Sequence, residues 1–254
     1  MFKTFENENI LAQKLALEIL KELKKKKKLV LGCPGGRSLK KTYYHLGKIS
    51  YKLNISLDKL IIVMMDEYVE KKNNKFKLVS SKSHFSCVRF GNQVIKKLLN
   101  YKKNNLNSLK YNNIYFPNVN SPKSYDKFIK KLGGIDIFLL ASGSSDGHVA
   151  FNNLYSKINQ QTHITKLSDH TRNDNMKTFK NFKKLSEVPQ YGLTVGLKTI
   201  SSLSDKVILV LTGKEKRLAF KTISKMKKFN LNWPASIIFN CKKYRIYVDK
   251  IVKS

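Results

Sequence analysis

The chain has 254 residues, of which 41% are hydrophobic and 26% charged, and this length predicts one α/β domain over residues 1–254 with a sizeable buried core. Lys and Arg number 50 against 17 Asp and Glu, a net charge of +33, but the excess is nearly all Lys, scattered with Asn and Ile through every segment. We interpret it as a compositional bias and disfavour a nucleic-acid binder, in which Arg and aromatic residues would concentrate on one element.

The N-terminal segment predicts an amphipathic helix. Leu11, Leu15, Ile19 and Leu23 keep the i, i+4 spacing of one helix face. The run Lys24–Lys28 would end this helix, because cations suit the negative end of its dipole. The acidic residues near the N-terminus are unlike the basic start of a secretory signal peptide. Since no stretch reaches the roughly 20 apolar residues of a membrane span, we expect a cytoplasmic protein.

Short apolar runs predict the strands of a buried sheet. These runs cover residues 28–33, 60–65, 135–141, 206–213 and 235–240. Most are separated by stretches of helical length, one of which is marked by Val94, Ile95, Leu98 and Leu99. Strands that are apolar on both faces and alternate with helices indicate a mainly parallel sheet covered on both sides. The sequence therefore predicts a single doubly wound, Rossmann-like α/β fold.

Two segments depart from this alternation. Residues 104–120 predict a connection that contains one short strand around Ile114–Phe116, and residues 152–161 predict a mobile loop. The three cysteines are odd in number and far apart, which favours neither a disulfide framework nor a metal site and fits a reducing cytoplasm. They are Cys33, Cys87 and Cys241.

The first predicted strand ends in a glycine turn that can bind an anion. Gly35 and Gly36 permit a tight turn and a close approach, and Ser38 can cap the helix that follows. The free N–H groups at that helix start would then cradle a phosphate, with Arg37 as a forked donor. The glycine spacing matches neither the dinucleotide fingerprint nor the P-loop, and a purely structural turn remains the alternative.

Ionisable side chains follow the next strands. Asp66 and Glu67 come directly after the second predicted strand, where partial desolvation would raise the pKa of a carboxylate toward that of a useful base; a carboxylate that caps the next turn is the alternative. Asp146 and His148 follow the third strand through a Gly-Ser turn. Because ligands bind beyond the carboxyl ends of parallel strands, we expect these groups to face one crevice. Lys216, after the fourth strand, could contact a phosphate there.

In this order the motifs resemble the glucosamine-6-phosphate deaminase and 6-phosphogluconolactonase superfamily over nearly the whole chain. The resemblance is most specific at "MDEYV" (65–69), "DGHVAFN" (146–152) and "VPQYGLTVG" (188–196), and the last two are similar to the deaminase branch. It implies a sugar-phosphate isomerase and deaminase that converts glucosamine 6-phosphate to fructose 6-phosphate and ammonia. It implies neither a metal nor an organic cofactor, and it is compatible with a homo-oligomer.

The resemblance also implies residue roles. Asp66 would move a proton between sugar C2 and C1, His148 would assist ring opening, and Asp146 would orient His148. The implied substrate and phosphate ligands are Gly35, Gly36, Arg37, Ser38, Glu67, Arg172, Lys177 and Lys216.

Several positions depart from the deaminase pattern. Asn153 and Leu154 stand where that branch has Glu and Pro, and an amide cannot accept a proton as a carboxylate does, so ring opening should be slower or arranged differently. The glycine turn reads "PGGRS", which adds Arg37 to the site. Thr165 stands where regulated bacterial enzymes have Lys, and we expect no allosteric activation by amino-sugar phosphates.

Two other functions remain open. In a lactonase, His148 would activate water against the ester carbonyl of 6-phosphogluconolactone, and Asn153 favours that reaction because it needs no Glu. A non-catalytic sugar-phosphate binder is the third hypothesis, and the retained Asp66, Asp146 and His148 disfavour it. The sequence leaves the exact sugar open.

Overall fold

The computed structural model describes residues 2–102 and 108–254. In chain order its strands are β1 (Phe2–Phe5), β2 (Leu29–Cys33), β3 (Leu60–Met64), β4 (Asp66–Lys72), β5 (Lys75–Leu78), β6 (Ile114–Tyr115), β7 (Ile135–Ala141), β8 (His163–Lys166), β9 (Tyr191–Thr194), β10 (Ser204–Leu211) and β11 (Tyr244–Asp249). Seven of these strands form one sheet in the order β1-β11-β10-β7-β2-β3-β6. Every pairing between neighbours in this sheet is parallel.

Helices cover both faces of the parallel sheet. They are α1 (Glu8–Lys25), α2 (Lys40–Lys52), α3 (Cys87–Arg89), α4 (Lys96–Leu99), α5 (Pro122–Lys131), α6 (Asp169–Thr178), α7 (Leu197–Ser202), α8 (Arg217–Ser224) and α9 (Lys250–Lys253), with a π-helical turn at Phe90–Ile95 between α3 and α4. Leu31 of β2 packs in one core with α1 and α2, whereas its neighbour Val30 packs in a second core with α5, α7 and α8. Successive residues of a strand point to opposite faces, so the predicted doubly wound fold is confirmed.

The first helix has the predicted buried face and the predicted end. Leu11, Leu15, Ile19 and Leu23 are all buried against the sheet. Helix α1 ends at Lys25, inside the lysine run.

The prediction of a strand at residues 235–240 is wrong. Residues Pro234–Asn240 form a 3₁₀-helix, and the last strand of the sheet is β11, which follows it. Pro234 occupies the first helical turn, where the missing N–H of proline is tolerated. Ala235, Ile237 and Ile238 are nevertheless fully buried, because a short buried helix can carry the same apolar run as a buried strand.

The capping role predicted for Ser38 is also wrong. Helix α2 begins at Lys40 with Leu39 as its N-cap residue. The residues from Gly35 to Ser38 form a turn that precedes the helix. Any anion bound there would therefore contact the turn itself.

A second sheet, which the apolar runs did not predict, stands beside the first. It is antiparallel in the order β5-β4-β9-β8. The Val195 N–H donates to the Met65 carbonyl at 2.8 Å, next to the point where the chain passes from β3 to β4. Asp66 is the first residue of β4, so the two sheets meet next to Asp66, the predicted general base.

The remaining predictions concern connections. A short strand does form at Ile114–Tyr115. Residues 152–161 contain neither helix nor strand apart from an isolated β-bridge between Asn152 and Val149, while the mobility of that loop stays a prediction. Residues 103–107 of the predicted connection lie outside the described residues. Among residues 2–102 and 108–254, no helix is both long enough and apolar enough to cross a membrane.

Candidate active site

A cavity of about 590 Å³ opens at the carboxyl ends of β2, β3, β7 and β10. Because these four strands are parallel, the turns that follow them converge at one edge of the sheet. The predicted site residues that line the cavity are Gly35, Gly36, Arg37, Ser38, Asp66, His148, Lys177 and Lys216. The turns after four separate strands therefore bring a carboxylate, an imidazole and cationic groups to one place.

Asp66 is a buried carboxylate at the cavity wall. Its side chain is only 6% exposed, and Cys87 Sγ lies 3.2 Å from Asp66 Oδ1 as a hydrogen-bond donor. Burial raises the pKa of Asp66 to about 7, while the Cys87 hydrogen bond and the charge of His148 act in the opposite direction. A carboxylate with this pKa can both accept and return a proton near neutral pH.

Among the described residues, Glu67 lies outside the cavity lining, although the sequence predicted it as a substrate ligand. Its carboxylate accepts hydrogen bonds from the N–H groups of Tyr68, Cys87 and Val88 at 2.7, 3.0 and 2.8 Å, and from Ser86 Oγ at 2.7 Å. These donors belong to β4 and to the start of α3. Glu67 therefore ties α3 to β4.

His148 is held by a carboxylate. Asp146 Oδ1 lies 2.7 Å from His148 Nδ1 and also accepts the His148 backbone N–H at 3.1 Å. The other carboxylate oxygen accepts from Ser168 Oγ at 3.0 Å. Burial alone would raise the pKa of Asp146, but the hydrogen bonds and charge of His148 and the Ser168 hydroxyl outweigh it and lower that pKa. The ionised carboxylate fixes one ring nitrogen and leaves the other for chemistry in the cavity.

Two glycines make room for the Asp146–His148 pair. A Cβ at Gly143 would lie 2.3 Å from His148 Nδ1 and 2.4 Å from Asp146 Oδ1, too close for either atom. Gly147 has φ +65°, and a Cβ there would lie 2.3 Å from the indole ring of Trp233. The small residues of this turn therefore serve close packing around the pair as well as the turn itself.

Cationic and backbone groups also line the cavity. Gly36 has φ +84° and open space above it, and the Arg37 side chain is exposed. Lys216 Nζ donates to the Ser142 carbonyl at 2.6 Å and to Ser144 Oγ at 3.1 Å. Burial lowers the pKa of Lys216, although the negative charges of Asp174 and Glu215 act to raise it. Together these groups can bind a phosphate.

The two basic residues predicted on α6 differ in position. Lys177 lines the cavity with its ammonium 3.9 Å from Asp174 Oδ1. Among the described residues, Arg172 lies outside the cavity lining. Its NH2 donates to the carbonyls of Leu185 and Val188 at 2.6 and 3.2 Å. The structure thus makes Arg172 an anchor of α6 instead of a phosphate ligand.

Asn153, which stands where the deaminase pattern has Glu, is buried and engaged with its own loop. Its Oδ1 accepts the Tyr155 N–H at 3.0 Å, and its Nδ2 donates to the Lys166 carbonyl at 3.1 Å. Among the described residues, Asn153 lies outside the cavity lining. The amide therefore holds the loop and β8 together.

The cavity also contains residues that sequence reasoning missed. They include Cys87, Ser144, Ala150, Asp174, Thr212 and Glu215. Ala150 has φ +52°, a left-handed conformation that non-glycine residues adopt at a cost and that often accompanies a functional site. Its position directly after "DGHV" was the available signal. Nothing in the sequence around Cys87 indicated that its thiol would meet Asp66.

The chain is similar to known proteins over nearly its whole length. The profile of the family described as glucosamine-6-phosphate isomerases/6-phosphogluconolactonase matches residues 6–248. A glucosamine-6-phosphate deaminase of Dictyostelium discoideum is 34% identical over 87% of this chain and 77% of its own length. The deaminase of Mycoplasma mycoides subsp. mycoides is 31% identical over 96% of this chain and 93% of its own.

Solved structures share the fold. A monomeric glucosamine-6-phosphate deaminase superposes with a TM-score of 0.85 at 24% identity, over 99% of this chain and 98% of that one. A 6-phosphogluconolactonase of Thermotoga maritima has a TM-score of 0.70 at 18% identity, over 98% of this chain and 99% of that one. At these identities the likeness concerns the fold alone.

Proposed function

Because the chain belongs to the glucosamine-6-phosphate isomerase/6-phosphogluconolactonase family, we propose that it is a sugar-phosphate isomerase and deaminase. Its substrate is glucosamine 6-phosphate, and its products are fructose 6-phosphate and ammonia. The observation that carries the proposal is the shared cavity, whose lining includes Asp66, His148, the glycine turn and Lys216.

The phosphate binds at the cationic groups and fixes the sugar. The Gly36 turn, Arg37 and Lys216 supply N–H donors and positive charge, and Lys177 adds charge from the exposed side. Holding the phosphate there positions the reacting carbons for Asp66 and His148.

His148 and Asp66 then act on the sugar in sequence. His148, oriented by Asp146, takes the proton of the C1 hydroxyl on its free ring nitrogen and passes it to the ring oxygen, which opens the ring. Asp66 removes the C2 proton and returns it to C1. One proton of the C2 ammonium passes to the C1 oxygen, so that C1 becomes a hydroxymethyl group and C2 an iminium. Water adds at C2 and ammonia leaves, so the net reaction hydrolyses the C–N bond.

The test measures ammonia released from glucosamine 6-phosphate. Asp66→Asn should lower kcat at least about 100-fold, since general-base catalysis contributes factors of this size. Asp205→Asn is the matched control, because Asp205 is 44% exposed and lies outside the cavity lining; it should keep wild-type activity. Folded wild-type protein that releases no ammonia would refute the proposal.

Lactone hydrolysis is the second candidate, favoured by Asn153. The amide bonds to its own loop, whereas lactone opening requires only water activated by His148. Since hydrolysis of an ester abstracts no proton from carbon, a lactonase would survive Asp66→Asn and lose activity in His148→Asn. Rates corrected for spontaneous lactone opening distinguish the two functions.

A further inference from the structure

Cys87 is the thiol that contacts the base. Its Sγ lies 3.2 Å from Asp66 Oδ1, and both side chains are buried at the wall of the cavity. In the part of the chain that the structure describes, this thiol is the one side chain found to donate a hydrogen bond to the Asp66 carboxylate. The hydrogen bond to the thiol therefore fixes the orientation of the Asp66 carboxylate.

The Cys87 backbone is itself fixed. The Glu67 carboxylate accepts the N–H groups of Cys87 and Val88 and so holds the first turn of α3 against β4. The thiol also lies against the glycine turn, since a Cβ at Gly35 would make an ordinary van der Waals contact with Cys87 Sγ at 3.4 Å. Two neighbouring residues of β4 therefore take part in this arrangement. Glu67 fixes the position of Cys87, and the Cys87 thiol fixes the orientation of the Asp66 carboxylate.

We propose that Cys87 is a positioning residue for Asp66 and that Glu67 fixes Cys87 in place. The role deepens the proposed function and rests on it for its catalytic meaning. The thiol holds the carboxylate toward the cavity and stabilises its ionised form, which is the form that accepts the C2 proton. No covalent step at sulfur is involved.

The thiol remains a donor throughout the working pH range. Burial, together with the negative charges of Asp66 and Glu67, raises the pKa of Cys87 well above its usual value. The titratable groups whose charges act on Asp66 or respond to it are Tyr43 on α2, Glu67 and Tyr68 on β4, Cys87 on α3, Tyr125 on α5 and His148 after β7. Of these, Cys87 is the group that donates to the carboxylate.

The experiment compares Cys87→Ala, which removes the donor, with Cys87→Ser, which keeps one. Two quantities are measured: the acid limb of kcat/KM for ammonia release, and the titration of Asp66 by carboxyl ¹³C NMR, assigned with Asp66→Asn. Cys87→Ala should shift both midpoints upward by about 0.5 to 1 pH unit, because a weak donor to a charged group is lost. Cys87→Ser should restore the wild-type midpoints or lower them.

Cys241→Ala is the control, because Cys241 is buried and lies outside the cavity lining; it should leave both midpoints unchanged. The inference is overturned if Cys87→Ala leaves the Asp66 titration unchanged, or if Cys87→Ser shifts it as far as alanine does. If the folded wild-type protein releases no ammonia, the proposed function fails, and the NMR titration still decides whether the thiol acts on Asp66.

Discussion

At the scale of single residues, the protonation of Asp66 should control the rate. Burial raises its pKa to about 7, and a base acts only when it is deprotonated. We expect kcat/KM to rise with pH through about 7 and to be about 10-fold below its plateau one pH unit lower. Steady-state kinetics between pH 5.5 and 8.5 measure this limb. A profile that stays flat down to pH 5.5 would contradict the role of Asp66 as base.

The same carboxylate should make the fold less stable at alkaline pH. The pKa of Asp66 is higher in the folded state than in the unfolded chain. Between about pH 4 and 7 the folded protein therefore keeps a proton on Asp66 that the unfolded chain has lost. The stabilisation that comes from this proton decreases as the pH rises through that window. Asp66→Asn should raise the free energy of unfolding at pH 8, by at most about 4 kcal/mol for a shift of about three units. Urea denaturation measures it. A variant less stable than wild type at pH 8 would show that Asp66 is not destabilised by burial.

The glycine beside His148 offers a steric test. A Cβ at Gly143 would lie 2.3 Å from His148 Nδ1, so Gly143→Ala must displace the imidazole or the turn. We expect kcat to fall about 100-fold, since a misplacement of about 1 Å can cost that much. Ser145→Ala changes an exposed position of the same turn and should be near neutral. Unchanged kcat in Gly143→Ala would mean that the position of the imidazole does not limit the reaction.

At the scale of elements, Glu67 joins α3 to β4. Glu67→Gln keeps the size of the side chain but replaces one acceptor oxygen by a donor, which would face the Ser86 hydroxyl or the backbone N–H groups. We expect a loss of about 2 to 4 kcal/mol in the free energy of unfolding, because hydrogen bonds to a buried charge are lost. Glu70→Gln, on the exposed end of the same strand, is the control. Equal stability of the two variants would argue against a stabilising role for the hydrogen bonds between Glu67 and α3.

The sequence predicted the parallel core and the residues at its strand ends because apolar runs and turn chemistry are local signals. It failed at one local signal, Pro234, and where the decisive contact is distant in sequence. Residues 235–240 have strand-like composition, but Pro234 and burial against α7 favour a 3₁₀-helix. Arg172 has the chemistry of a phosphate ligand, yet carbonyls more than ten residues away bind it. The thiol of Cys87 meets Asp66 only through tertiary packing.

At the scale of the whole molecule, the net charge of +33 should draw anionic substrates toward the cavity. We expect kcat/KM to decrease about 3- to 10-fold between 20 and 200 mM NaCl, as ions screen the field, while kcat at saturating substrate changes little. Kinetics at both ionic strengths measure the effect. An unchanged kcat/KM would mean that the lysine excess has no part in substrate capture.

The position of β11 in the sheet has a consequence for biosynthesis. β11 lies between β10 and β1, and in the described part of the chain Phe2–Phe5 pairs with Ile246–Asp249, which are synthesised 244 positions later. During translation the first strand therefore stays without its neighbour until Ile246–Asp249 have left the ribosome. This edge of the sheet closes last, and until then both β1 and β10 expose backbone groups that invite pairing with other nascent chains.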